Sequence, residues 1–172
     1  MTEDGRAGTE RFEIDSEVIS LSDKRLKNID LSPLISCTSL RILDLLKNHL
    51  QNVDLSPLSI CVSLHTLNLR WNQLQSVDLS PLSSCTGLQA LDLWSNKLQS
   101  VDLSPLSSCI GLQALFLSSN QFQSVDLSPL VGAPNLSLVV DDKVMLTAHE
   151  SLRNRKGLPQ WFEDLRKRIQ WL

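Results

Sequence analysis

A six-residue phrase returns through this chain at a fixed interval. It reads IDLSPL at 29–34 and VDLSPL at 53–58, 77–82, 101–106 and 125–130, so that every step is 24 residues. The longer stretch VDLSPLSSC is identical at 77–85 and 101–109. A chain that repeats its letters repeats its local structure, and a unit this short cannot bury an apolar face alone; it must stack on copies of itself. Leucine supplies 35 of the 172 residues, a bias that follows from such repetition.

A second pattern, LxxLxLxxNxL, lies between the phrases: LRILDLLKNHL (40–50), LHTLNLRWNQL (64–74), LQALDLWSNKL (88–98) and LQALFLSSNQF (112–122). In the third copy Leu91 and Leu93 alternate with Ala90, Asp92 and Trp94, the two-residue period of a strand with one buried face, and Asn96 then turns the chain inward. Each repeat therefore opens with a short strand. In VDLSPLSSC, Ser80 before Pro81 reads as an N-cap followed by the first helical position, so each repeat closes in a helical or 3-10 turn. Stacked units place parallel strands ~4.8 Å apart with the bulkier turns outside. The expected fold is an α/β solenoid with a curved parallel sheet inside and short helical turns outside.

These motifs resemble the leucine-rich repeat family over residues 16–146, with four consecutive copies in one register. The resemblance implies that Asn48, Asn72, Asn96 and Asn120 form a ladder bonded to backbone groups at the turns. Both ends depart from the motif: Lys24 replaces the Asn of the first unit, and beyond Leu136 and Val139 the leucine and Asn positions hold Asp141 and Val144. Terminal repeats of solenoids are atypical because they cap an open core. The expected organisation is a polar segment over 1–15, the solenoid over 16–146 and a C-terminal cap over 147–172. In that cap Leu158, Trp161, Phe162, Leu165, Ile169 and Leu172 recur at helical spacing after Pro159, predicting an amphipathic capping helix.

Several columns carry chemistry-bearing side chains. Cys37, Cys61, Cys85 and Cys109 share the 24-residue spacing. Such a column extends over roughly 15 Å, whereas zinc ligands must all lie within ~2.3 Å of the ion, so one zinc cannot use all four. Distance does not exclude a disulfide between adjacent rungs, but an intracellular chain is kept reduced, and the four are expected to be reduced, buried and metal-free. Asp30, Asp54, Asp78, Asp102 and Asp126 each stand three residues before a Pro, where an Asx-turn to the amide two residues on accounts for them better than calcium. The histidines His49, His65 and His149 have no nucleophile and orienting acid at a catalytic spacing, and there is no glycine-rich phosphate loop. Neither enzymatic activity nor a cofactor is expected.

The net charge of −3 speaks against broad nucleic-acid binding, which needs clustered Lys and Arg. The opening MTEDGRAGTERFEID carries acids and lacks a signal-like apolar stretch, and nowhere do 18 apolar residues run together. With no cysteine-rich caps of the kind that extracellular members of the family carry, a cytoplasmic protein is expected. Residues 147–172 hold six basic and three acidic side chains, read as a solvated face, with a membrane-surface or nucleic-acid patch as the alternative.

Residues that repeat hold the solenoid together, so function should lie where repeats differ. On the strand face, one column reads Ser20, Asp44, Asn68, Asp92, Phe116, Val140; the next reads Ser22, Leu46, Arg70, Trp94, Ser118, Asp142; and a third contains Lys47, Trp71 and Ser95. Trp71, Trp94 and Phe116 thus run diagonally across neighbouring rungs, with Asp44, Leu46, Asn68, Arg70 and Asp92 around them. Clustered exposed aromatics mark interfaces, and Trp and Arg are frequent hot spots. The expectation is a monomeric, non-catalytic adaptor or scaffold that binds a protein or peptide on its concave face. Its alternatives are a self-associating or structural module, a fragment of a larger signalling protein, and a membrane-surface binder using the basic C-terminal helix.

Overall fold

The computed structural model describes residues 16–172; the polar segment expected over 1–15 lies outside the described residues. Each repeat contributes a three-residue strand: β1 (Val18–Ser20), β2 (Ile42–Asp44), β3 (Thr66–Asn68), β4 (Ala90–Asp92) and β5 (Ala114–Phe116). β6 (Ser124–Asp126) follows, then β7 (Ser137–Val139). The strands β1-β2-β3-β4-β5-β7 form one parallel sheet in that order. From β1 to β5 the register is the sequence period itself, with Leu43 opposite Leu67, Leu91 and Leu115 in turn. These leucines, and Leu45, Leu69, Leu93 and Leu117 two positions on, are fully buried. Each such side chain is worth ~1.5–3 kcal/mol of transfer free energy, the term that drives stacking.

The period slips once. Ser137, Leu138 and Val139 pair with Ala114, Leu115 and Phe116, one residue short of the 24-residue step. Val139, not Val140, therefore continues the column of Phe116. The Ser119 amide accordingly donates to Asp141, at 2.9 Å, and the next column ends there instead of at Asp142. The cause is the spacing of Leu136 and Leu138, two residues where Leu112 and Leu115 have three: seating Leu136 in the core and the half-buried Leu138 against it removes one residue from the loop.

The outer side of each rung is a five-residue 3-10 helix, as in Ser80–Ser84 and Ser104–Ser108. The expected cap is corrected here. Leu79 is the N-cap, Ser80 is the first helical residue, and the Ser80 hydroxyl caps nothing. Asp78 does that work: its Oδ1 accepts from the Ser80 amide at 2.8 Å, and Asp30, Asp54, Asp102 and Asp126 do the same for Ser32, Ser56, Ser104 and Ser128. This is the Asx-turn expected of that column. Donation by the serine hydroxyl, and next by its amide, holds the Asp78 and Asp102 carboxyls below their usual range.

Two buried ladders tie rung to rung. Asn72 Nδ2 donates to Leu45 O at 2.9 Å and Leu69 O at 3.1 Å, while its Oδ1 accepts from Leu50 N at 3.1 Å. Asn48, Asn96 and Asn120 repeat the pattern. The cysteines form the second ladder: Cys85 Sγ donates to the carbonyls of Leu58 and Cys61, both at 3.5 Å, and all four cysteines are buried.

The C-terminal segment closes the core by different means than expected. β8 (Met145–Ala148) and β9 (Ile169–Trp171) form a second parallel sheet with β6, in the order β6-β8-β9. Helix α1 spans only Gln160–Leu165, and the chain passes through a 3-10 turn into β9, so Ile169 and Leu172 are not helical. Pairing with β8 supplies hydrogen bonds that a longer helix would have made internally, and Ile169 still reaches the core by strand alternation. Phe162 is completely buried, edge-on to Trp161 with centroids 5.5 Å apart, and Trp161 Nε1 donates to Ala133 O at 2.8 Å. Leu152, Leu158, Phe162 and Ile169 belong to the same apolar cluster as the repeat leucines. The basic residues are partly neutralised: Arg153, Arg166 and Arg168 pair with Glu150, Glu163 and Asp142. No helix among the described residues is long and apolar enough to cross a membrane.

Candidate recognition surface

Strand alternation that buries Leu43 and Leu45 turns Asp44 and Leu46 to the opposite face, and parallel in-register pairing aligns their counterparts in columns ~4.8 Å apart. Asp44, Asn68, Asp92 and Phe116 lie side by side across β2 to β5. The first three have a local duty as well. Their Oδ1 atoms accept from the amides of Leu46, Arg70 and Trp94, at 3.0, 3.1 and 2.9 Å. Phe116 has no acceptor and leaves that pattern, presenting a half-buried ring.

Arg70 is the centre of the surface. Its guanidinium carbon stands 4.2 Å from the Trp94 ring centroid on the next rung and 4.7 Å from that of Trp71, so two indoles share one cation. Trp94 is fixed in turn, its Nε1 donating to Ser119 Oγ at 2.9 Å. Arg70 Nε is buried without a hydrogen-bond partner. Asp92, half-buried beside this cluster, has its carboxyl pushed above the usual range by desolvation, a shift opposed by the Trp94 amide and by the charge of Arg70. Leu46 is half-buried on the preceding rung. Trp71 is 47% exposed, a large apolar area to leave in water.

The backbone of Trp71 gives a signal that the sequence concealed. Its φ is 54°, in the left-handed region, and Lys47, Ser95 and Ser119 at the equivalent positions share it with φ of 55°, 57° and 58°. The turn before each ladder Asn imposes this conformation. Glycine or Asn would mark it in a sequence, and this column holds neither.

The described residues contain no group of three or more His, Cys, Asp or Glu arranged to hold a metal ion. The nearest thiols are in the core, with burial pushing Cys61 up to about 11 and Cys85 up to about 12, far from nucleophilic at neutral pH.

Comparison with known proteins agrees with this geometry. The family model described as "Leucine rich repeat" matches residues 86–140, and a second one, described as "Leucine Rich repeat", matches 36–59 and 61–83. The chain belongs to the leucine-rich repeat family. A leucine-rich-repeat protein of Leptospira interrogans superposes with a TM-score of 0.66 at 22% identity, over 91% of this chain and 36% of that one. An internalin of Listeria monocytogenes gives 0.60 at 23% identity, over 90% and 40%. A plant peptide hormone receptor, in complex with RGF2, gives 0.68 at 24% identity, over 89% and 23%. This chain thus spans less than half the length of each, and the likeness is one of fold. The search of curated proteins gave no match.

Proposed function

We propose that this chain is a non-catalytic recognition module, a monomeric cytoplasmic adaptor or scaffold that binds a protein or peptide on the sheet face of its solenoid over residues 16–146, with 147–172 as cap. The supporting observation is the cluster of Arg70, Trp71 and Trp94: two indoles and a guanidinium gathered at positions where repeats that share nearly every core letter differ. The leucines behind them already complete the core, so these side chains are free to serve a partner. Asp44, Asn68 and Asp92 hold the strand-end backbone and frame the site, while Leu46 and Phe116 extend its apolar area on either side. The receptor found in complex with RGF2 is a protein of the same fold with a bound partner, which favours the same use here.

The test is affinity measured beside stability. A partner captured on the wild-type chain is titrated against Trp71→Ala, Trp94→Ala and Phe116→Ala, each also melted. Loss of binding at preserved stability supports the concave site, and unchanged affinity in all three removes it.

A further inference from the structure

Resting on that reading, we infer that the partner segment carries an acidic side chain whose carboxylate docks on Arg70, between the faces of Trp71 and Trp94. The guanidinium carbon of Arg70 lies over both indole rings, 4.7 Å from the Trp71 centroid and 4.2 Å from that of Trp94. A cation–π contact engages the charge of the group and consumes none of its N–H donors, and a carboxylate takes two of those donors at once in the plane of the fork. Arg70 has neither an ion pair nor a side-chain hydrogen bond among the described residues, and its Nε is already desolvated without a partner.

The other basic residues of this face differ. Lys47 pairs with Asp23 at 3.0 Å and Arg41 with Glu17 at 3.8 Å, whereas Arg70 has no ion pair among the described residues and feels only the charge of Asp92 on the adjacent strand. Asp92, on the adjacent strand, spends its Oδ1 on the Trp94 amide and does not come within ion-pairing distance. The two indole contacts restrain Arg70 before any partner arrives, which lowers the ordering cost of binding. The apolar walls of Trp71 and Trp94 exclude water from the pair that forms, strengthening it. The same walls accept the aliphatic part of the residue that bears the carboxylate.

The experiment is selection of a phage-displayed library of random 12-residue peptides on the full chain, fused through their C-termini so that side chains supply the only carboxylates. Enrichment of Asp- or Glu-bearing peptides is expected, with binding of a selected synthetic peptide, its C-terminus amidated, falling roughly tenfold or more in Arg70→Gln. On Arg70→Glu the library should instead yield Lys- or Arg-bearing peptides. Circular dichroism melting verifies that each variant is folded, and Arg70→Lys, which keeps the charge but lacks the planar fork, should bind more weakly than wild type. Peptides without acids that bind Arg70→Gln normally but are lost in Trp71→Gly would overturn the carboxylate while leaving the concave site. Absence of enrichment, or binding indifferent to both substitutions, would overturn both.

Discussion

The guanidinium of Arg70 lies 4.7 Å from the indole of Trp71, its neighbour in sequence, and that indole is carried on a backbone with φ of 54°. A left-handed conformation costs an L-residue ~1–2 kcal/mol, and the repeat turn requires it here whichever residue is present. Glycine at 71 relieves that strain but loses the cation–π contact, worth ~0.5–1 kcal/mol at an exposed site, and adds chain entropy of similar size. Trp71→Gly is therefore expected to unfold within about 1 kcal/mol of wild type in urea. A loss of several kcal/mol would make the indole part of the fold.

Asn72 is the opposite case. Its side chain is buried and bonds Leu45 O, Leu69 O and Leu50 N, joining adjacent rungs. Alanine leaves these backbone groups without partners, at ~1–3 kcal/mol for each that water cannot reach. Denaturation of Asn72→Ala should show a loss of about 3 kcal/mol or more, with little change at the exposed Gln75→Ala control.

Such differences explain what was legible in the sequence. The 24-residue period fixed strand identity, parallel order and the buried leucines, because burial demands the same side-chain type at the same place in every rung. The Asx-turn was legible in Asp78, but the cap was assigned to Ser80 because a Ser before Pro carries the same local signal. The slip at Ser137 was hidden because Leu136 and Leu138 both remain leucines at almost the right spacing. In the cap, Ile169 satisfies a helical period from Leu165 and a strand period with Trp171 equally well, and only pairing with β8 decides. The aromatic diagonal was visible in Trp71 and Trp94. The way Arg70 is shared between them was not, because it depends on rotamers that no spacing encodes.

The cysteine ladder gives a pH dependence. Burial pushes Cys61 to about 11 and Cys85 to about 12 from an ordinary value of 9.0. A pKa raised in the folded state means that the stabilisation is complete below pH 9, where the thiols are protonated in both states. It is then lost as pH rises towards 11 and 12, because the unfolded chain releases its protons first. Urea midpoints should fall over that interval and fall less in a Cys61→Ala/Cys85→Ala chain. At pH 8, labelling by a disulfide reagent should be slow until denaturant is added.

The cap makes its own demand. Phe162 is completely buried among Trp161, Trp171 and the last repeat's leucines. Phe162→Ala should cost ~3–5 kcal/mol, seen as an earlier calorimetric transition. Removing residues 158–172 should lower the melting temperature further and promote association through the opened core; an unchanged, monomeric truncation would show that these residues do not cap the solenoid.

The central claim is that recognition by the concave face is separable from the stability of the solenoid. Its most direct measurement is titration calorimetry of a captured partner against the wild type and the Trp71→Gly/Trp94→Ala chain, with a melting curve for each. Truncating a hot-spot aromatic costs at least ~2 kcal/mol, about thirtyfold in affinity, so the double variant should bind at least thirtyfold more weakly while melting close to the wild type. Equal affinity in the two chains would contradict the claim, as would a loss of binding that merely follows a collapse in melting temperature.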